Sequence, residues 1–234
     1  MLKVDKANLF YGDVQALWDV SLQIGEGEIV ALLGANAAGK STTINAISGL
    51  EKLSSGKIIY RNEEIQGRDP HEIVELGIVQ VPEGRKLFSF MSVEENLELG
   101  AYSKRARRDF KKNLEMVYTF FPILRERKKQ LAASMSGGEQ QMCAIARGLM
   151  GSPKLLMIDE LSLGLAPIMV QKLFEVLKKI RDAGITILLV EQNVGHSLAL
   201  SNAGFVLENG RIALAGSAAE LLGNPYLKRA YLGM

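Results

Sequence analysis

Short apolar stretches separated by turns dominate the first third of the chain. Residues 14–24 contain alternating apolar and polar positions, the pattern of strands with one covered face. Residues 28–33 form a compact apolar run, which suits a strand buried on both faces of a sheet. A glycine-bounded loop follows, and then a short helix is predicted from about Lys40 to Ser48. Residues 56–65 return to strand character, 71–76 predict a short helix, and 78–81 another buried strand. The middle of the chain is helical and more charged. It opens at Ser92-Val93-Glu94-Glu95, a capping box in which the serine caps and the glutamate three residues on reaches back. Residues 155–158 and 185–190 read as buried strands. Between them Pro167 opens a helix ending near Gly184, with Leu173, Phe174, Leu177 and Ile180 on one face. Asn209-Gly210 joins residues 205–208 and 211–215 as a hairpin with a type I′ turn. Residues 224–234 predict a short terminal helix.

Strand–helix–strand alternation predicts an α/β fold with a mainly parallel sheet. The strand-rich start adds an antiparallel β subdomain, and the helical middle, approximately residues 92–150, reads as an inserted subdomain. Residues 1–234 are expected to form a single domain, since close to half of them are apolar and can bury a sizeable core. Net charge is +2, from 28 basic and 26 acidic residues. That balance offers no electrostatic case for nucleic acid as a partner. The single cysteine, Cys143, excludes an intrachain disulfide or a cysteine-built metal site, and its small apolar neighbours predict a buried thiol. The start lacks the apolar core of a signal peptide, and no apolar run is long enough to cross a bilayer. A cytoplasmic protein is expected, with any membrane role exercised through a partner. Residues 104–108 are a basic run, expected as a solvated surface.

Three segments carry chemistry. Gly34-Ala35-Asn36-Ala37-Ala38-Gly39-Lys40-Ser41 matches the phosphate-binding loop, and it sits between a predicted strand and a predicted helix. Backbone N–H groups of such a loop and of the helix start can surround phosphates. Lys40 supplies a mobile positive charge, and Ser41 offers a hydroxyl to Mg²⁺. Residues 155–160 form an apolar strand ending in Asp159 and Glu160, at the sheet edge where open α/β folds bind ligands. Asp159 can hold Mg²⁺, and Glu160 can polarise a water for attack on a γ-phosphate. Ser136-Gly137-Gly138-Glu139 precedes a helical stretch and resembles a second anion site at a helix start, or simply a capped helix after a glycine turn.

Together these three segments, in this order and spacing, resemble the ABC-type ATPases over essentially the whole chain. The resemblance implies that two ATPase subunits pair head to tail with ATP and Mg²⁺ between them. Nucleotide contacts then fall to Tyr11, Gly34, Asn36, Ala37, Ala38, Gly39, Lys40, Ser41 and Thr42, with Tyr11 stacking on adenine. Ser136, Gly137, Gly138 and Glu139 would act across the interface on the other subunit's ATP. Ser41 and Asp159 would hold the metal, and Glu160, Gln192 and Glu83 would take the catalytic positions. Val81-Pro82-Glu83-Gly84-Arg85, Ser162-Leu163-Gly164-Leu165-Ala166-Pro167 and Leu189-Val190-Glu191-Gln192-Asn193 narrow the likeness to one of the two ATPase subunits of branched-chain amino-acid importers. The partners so implied are a second ATPase subunit (the same chain or a different one), membrane permeases contacted through residues 83–90, and indirectly a solute-binding protein. The subunit would sit peripherally on the inner face of the cell membrane.

The chain departs from the superfamily pattern at six positions. Glu83 stands for a glutamine, Gln192 for a switch histidine, and Ala166 for an aspartate, three changes that look normal for the branched-chain subgroup. Ala37 replaces a glycine inside the phosphate-binding loop, Leu161 a proline, and Met135 a leucine. His196, four residues past Gln192, is expected on a helix surface. Three alternatives stay open: an ATPase of a urea or amide importer, a mainly regulatory ATP-binding partner, and a soluble ABC protein outside transport.

Overall fold

The computed structural model describes residues 1–232. Its first part runs β1 (Leu2–Tyr11), β2 (Val14–Ile24), β3 (Ile29–Leu33), α1 (Lys40–Ile47), β4 (Ser55–Tyr60), β5 (Glu63–Glu64), α2 (Pro70–Leu76) and β6 (Ile78–Val81). Helices α3 (Val93–Gly100), α4 (Lys104–Arg108), α5 (Phe110–Phe120), α6 (Pro122–Glu126) and α7 (Gly137–Met150) follow. The remainder is β7 (Leu155–Asp159), α8 (Pro167–Asp182), β8 (Thr186–Glu191), α9 (Val194–Leu200), β9 (Ala203–Glu208), β10 (Arg211–Ser217), α10 (Ala218–Gly223) and α11 (Pro225–Leu227).

Two sheets form. The first four-stranded sheet, β2-β1-β4-β5, is antiparallel throughout. The second has the order β10-β9-β3-β8-β7-β6 and is parallel except for the β9–β10 hairpin. Every residue of β3, β7 and β8 is buried, as their unbroken apolar runs predict. Register matters for function. Leu33 pairs with Glu191, and Asp159 pairs with Val190, so the carboxyl ends of β3, β8 and β7 share one edge. That edge is where the loop after β3 and the acids after β7 meet.

Helices α3 and α7 pack together, and their apolar faces join α5, α8 and one face of the parallel sheet in a common core around Leu97, Phe121, Cys143, Leu149 and Leu177. Burial pushes the Cys143 thiol up to about 11, which fits an inert core residue. The basic run proves only partly solvated. Lys104, Arg107 and Arg108 are exposed, but Ala106 is buried and Arg105 donates to the carbonyls of Val74 and Gly151.

The tail differs from a single helix. Asn224 caps α11 through its side chain, and Lys228–Leu232 then winds as a π-turn; the expected helix residues 233–234 lie outside the described residues. Tyr226 of α11 and Tyr231 of the segment after it both donate their hydroxyls to Glu208.

The two sheets meet at the β9–β10 turn. Asn209 (φ 48°) and Gly210 (φ 74°) adopt the two left-handed positions of a type I′ turn. The Gly210 N–H donates to Ala38 in the loop after β3, and its carbonyl accepts from Trp18 of β2. The Arg211 guanidinium lies 4.7 Å over the Trp18 ring.

Candidate functional site

The loop between β3 and α1 has a shape only small residues allow. A Cβ on Gly34 would collide with the Leu207 carbonyl oxygen. Gly39, with φ 104°, leads into α1. Ala37 also stands at positive φ, 62°, in the left-handed region where a Cβ is crowded. The N–H groups of the first turn of α1 have no partners within the helix and line up beside this loop. Lys40 is buried; its ammonium donates to the Gly34 carbonyl (3.0 Å) and the Ala35 carbonyl (3.1 Å) and forms an ion pair with Glu160 Oε1 (3.1 Å).

At the end of β7, Asp159 is buried, and its Oδ1 has no hydrogen-bond partner. Burial raises its pKa; Ser41 and Lys40 pull it down, while the charges of Glu160 and Glu83 push it up further. An orphaned acidic oxygen beside a hydroxyl matches the ligand chemistry of a hard divalent cation. Glu160 follows in a left-handed conformation, φ 48°, with its N–H donating to the Val190 carbonyl at 2.9 Å. Glu191, fully buried at the end of β8, accepts from both the N–H and the hydroxyl of Ser162 at 2.8 Å each. Burial raises its carboxyl's pKa, and the Ser162 donors partly offset this.

Lys40 and Glu160 line a cleft of about 720 Å³, whereas Asp159, Ser162 and Glu191 are not among its lining residues. Of the positions expected to bind or act on a nucleotide, Tyr11, Asn36, Ala37, Gly39, Lys40, Ser41, Thr42, Glu83, Glu160 and Gln192 line it. Tyr11 ends β1, is half-exposed, and its hydroxyl is 3.5 Å from Thr42 Oγ1. Gly34 and Ala38 are buried behind the loop. Sequence reasoning did not place Val14, Gln15, Ala16, Leu163, Asn209 and Gly210 at the site, and they also line the cleft. None of them belongs to the phosphate-binding loop or the acidic strand end, and packing in three dimensions, not local sequence, brings them there.

Ser136–Glu139 stand apart from this cleft. Ser136 caps α7 in a capping box with Glu139, which also pairs with Arg127 at 3.2 Å. Within one chain these residues therefore take no part in the cleft. Met135 is buried against the core, as is Leu161. His196 is exposed on α9, edge-on to Phe174.

A second groove, of about 810 Å³, lies beside the segment after β6. Val79, Val81, Phe88, Leu99 and Tyr102 give it apolar walls, and Lys86, Lys104, Arg107 and Arg147 border it.

The sequence pattern of the ABC transporter family is matched over residues 17–162. Over 233 residues, spanning all of both chains, the sequence is 48% identical to the high-affinity branched-chain amino acid transport ATP-binding protein BraG of Pseudomonas aeruginosa. Among solved structures, an ATP-binding cassette of an ABC transporter in its ADP conformation superposes with a TM-score of 0.87 at 26% identity, covering 100% of this chain and 99% of that one. A dimeric bacterial ABC transporter cassette superposes with a TM-score of 0.80 at 26% identity, covering 93% and 99%.

Proposed function

The chain belongs to the ABC transporter family, and on that premise we propose that it is the ATPase subunit of an importer for branched-chain amino acids. The observation that carries this reading is the full-length likeness to BraG, joined to a cleft in which a phosphate-binding loop faces Glu160. Tyr11 at the cleft mouth offers an aromatic face to a base. ATP binding brings the γ-phosphate to Lys40, which then exchanges its Glu160 partner for phosphate oxygens. Glu160, released on the same cleft wall, orients the attacking water and takes up its proton. Gln192 and Glu83 flank that position from the ends of β8 and β6. Ser41 and Asp159 would hold Mg²⁺, which when bound neutralises charge on the phosphoryl oxygens.

Completion of the site falls to a second subunit. The separation of Ser136–Gly138 from the cleft supports a head-to-tail pair, in which these residues reach the partner's ATP. Among the described residues no helix is long and apolar enough to cross a membrane. Attachment to the inner face of the membrane is then indirect. The apolar groove beside Phe88 suits a cytoplasmic segment of a permease, whose movement follows the closing and opening of the ATPase pair.

Glu160→Gln tests the core of this reading. In the assembled transporter it is expected to cut ATP turnover by about a hundredfold or more while ATP still binds. Unchanged turnover would remove Glu160 from the reaction. Reconstitution with branched-chain amino acids against urea and amides, each with its binding protein, tests the solute.

A further inference from the structure

Glu191 stands behind the cleft rather than in it. Its carboxylate is fully buried, and among the described residues no lysine or arginine pairs with it. Burying an anion without a cation is costly, and an apolar side chain of the same size would stabilise the core better. Both oxygens nevertheless accept from Ser162, Oε1 from its N–H and Oε2 from its hydroxyl, with the Gln192 N–H a further, weaker donor. Ser162 lies two positions after Glu160, whose left-handed backbone is disfavoured for any residue with a Cβ. Such a conformation persists only where its surroundings over-determine it. Strand β8 does so twice, through the Val190 carbonyl on the Glu160 N–H and through the Glu191 carboxylate on Ser162. The neighbours on either side, Gln192 and Leu163, both line the cleft.

We propose that Glu191 is a positioning residue for ATP hydrolysis, clamping the turn after β7 so that Glu160 keeps its orientation in the cleft. The inference rests on the hydrolytic role of Glu160 given above. The clamp joins the turn that carries Glu160 to the strand end that carries Gln192, so the two move as one body.

The test compares Glu191→Leu, Glu191→Gln and Ser162→Ala in the assembled transporter, with Glu160→Gln alongside. Leucine fills the space but offers no acceptor. It is expected to leave the melting temperature equal or higher and KM for ATP within about threefold, while kcat falls about tenfold or more. Glutamine keeps an acceptor for the Ser162 N–H and can donate to the hydroxyl. It is expected to restore kcat to within about threefold of wild type. Ser162→Ala should lower kcat at constant KM, with no further loss in the leucine background, because both changes break one link. Wild-type kcat in the leucine variant, equal losses in the leucine and glutamine variants, or additive losses with Ser162→Ala would each overturn the proposal. Should the leucine variant not fold, Ser162→Ala decides alone, and an unchanged kcat there overturns it. If Glu160→Gln keeps its turnover, the failure lies in the role of Glu160 instead.

Discussion

Ala37 shows how a single side chain sets the terms of a binding loop. At φ 62° its Cβ costs about 1 kcal/mol relative to glycine, the residue whose place it takes in the family pattern. Ala37→Gly is therefore expected to change ATP affinity by less than about tenfold, which a direct titration of both proteins measures. Undetectable binding in wild type, rescued by glycine, would mean a far larger strain. Asp159 poses the opposite problem, a charge held where water cannot reach it. Its folded pKa lies above the ordinary value of 3.8, so the folded state binds more protons than the unfolded chain between those two values. The group's contribution to stability is full below the unfolded value and declines as pH rises through the folded one. Glu191 acts with the same sign. Without Mg²⁺, Asp159→Asn should be more stable than wild type at pH 7 by on the order of 1 kcal/mol, and the gap should close toward pH 4. With Mg²⁺ and ATP the order should reverse. Thermal melts across pH, with and without Mg²⁺, check both halves, and a pH-independent gap would contradict the assignment.

Elements were legible where one local rule governs them. The unbroken apolar runs of β3, β7 and β8 announce strands buried on both faces, and the Asn-Gly pair announces the turn of the β9–β10 hairpin. The reach of that hairpin was not legible, since its contacts join Gly210 to Ala38 and Trp18, far away in sequence. The same holds for the Lys40–Glu160 pair and the Glu191–Ser162 clamp. Sheet order brings them together, because β3 lies between β8 and β9 while β7 borders β8. The tail is less regular than a single helix: within the described residues α11 gives way to a π-wound segment, and the change is not marked in the local sequence. The hairpin gives a direct test of the junction between sheets. A Cβ on Gly210 would collide with the Ala16 carbonyl oxygen at a residue already in the left-handed region. Gly210→Ala should destabilise the protein by about 1–3 kcal/mol, read from the denaturant midpoint, and also weaken ATP binding. A loss of stability with binding untouched would separate the turn from the cleft.

At the scale of the whole molecule, motif order along the chain was enough to read a nucleotide machine, because each motif ends a strand or starts a helix in the α/β sandwich. The proposed second subunit rests on placement: Ser136–Glu139 cap α7 and do not line the cleft of their own chain. The junction of the two sheets has a practical consequence as well. Trp18 is the chain's single tryptophan, 40% exposed, and its backbone N–H is tied to the turn that touches the phosphate-binding loop. The molecule thus carries one indole, stacked under the Arg211 guanidinium and bonded through its residue's backbone to Gly210, which lines the cleft. A change in indole emission on adding ATP to unlabelled protein would therefore report on that turn, with no other indole contributing.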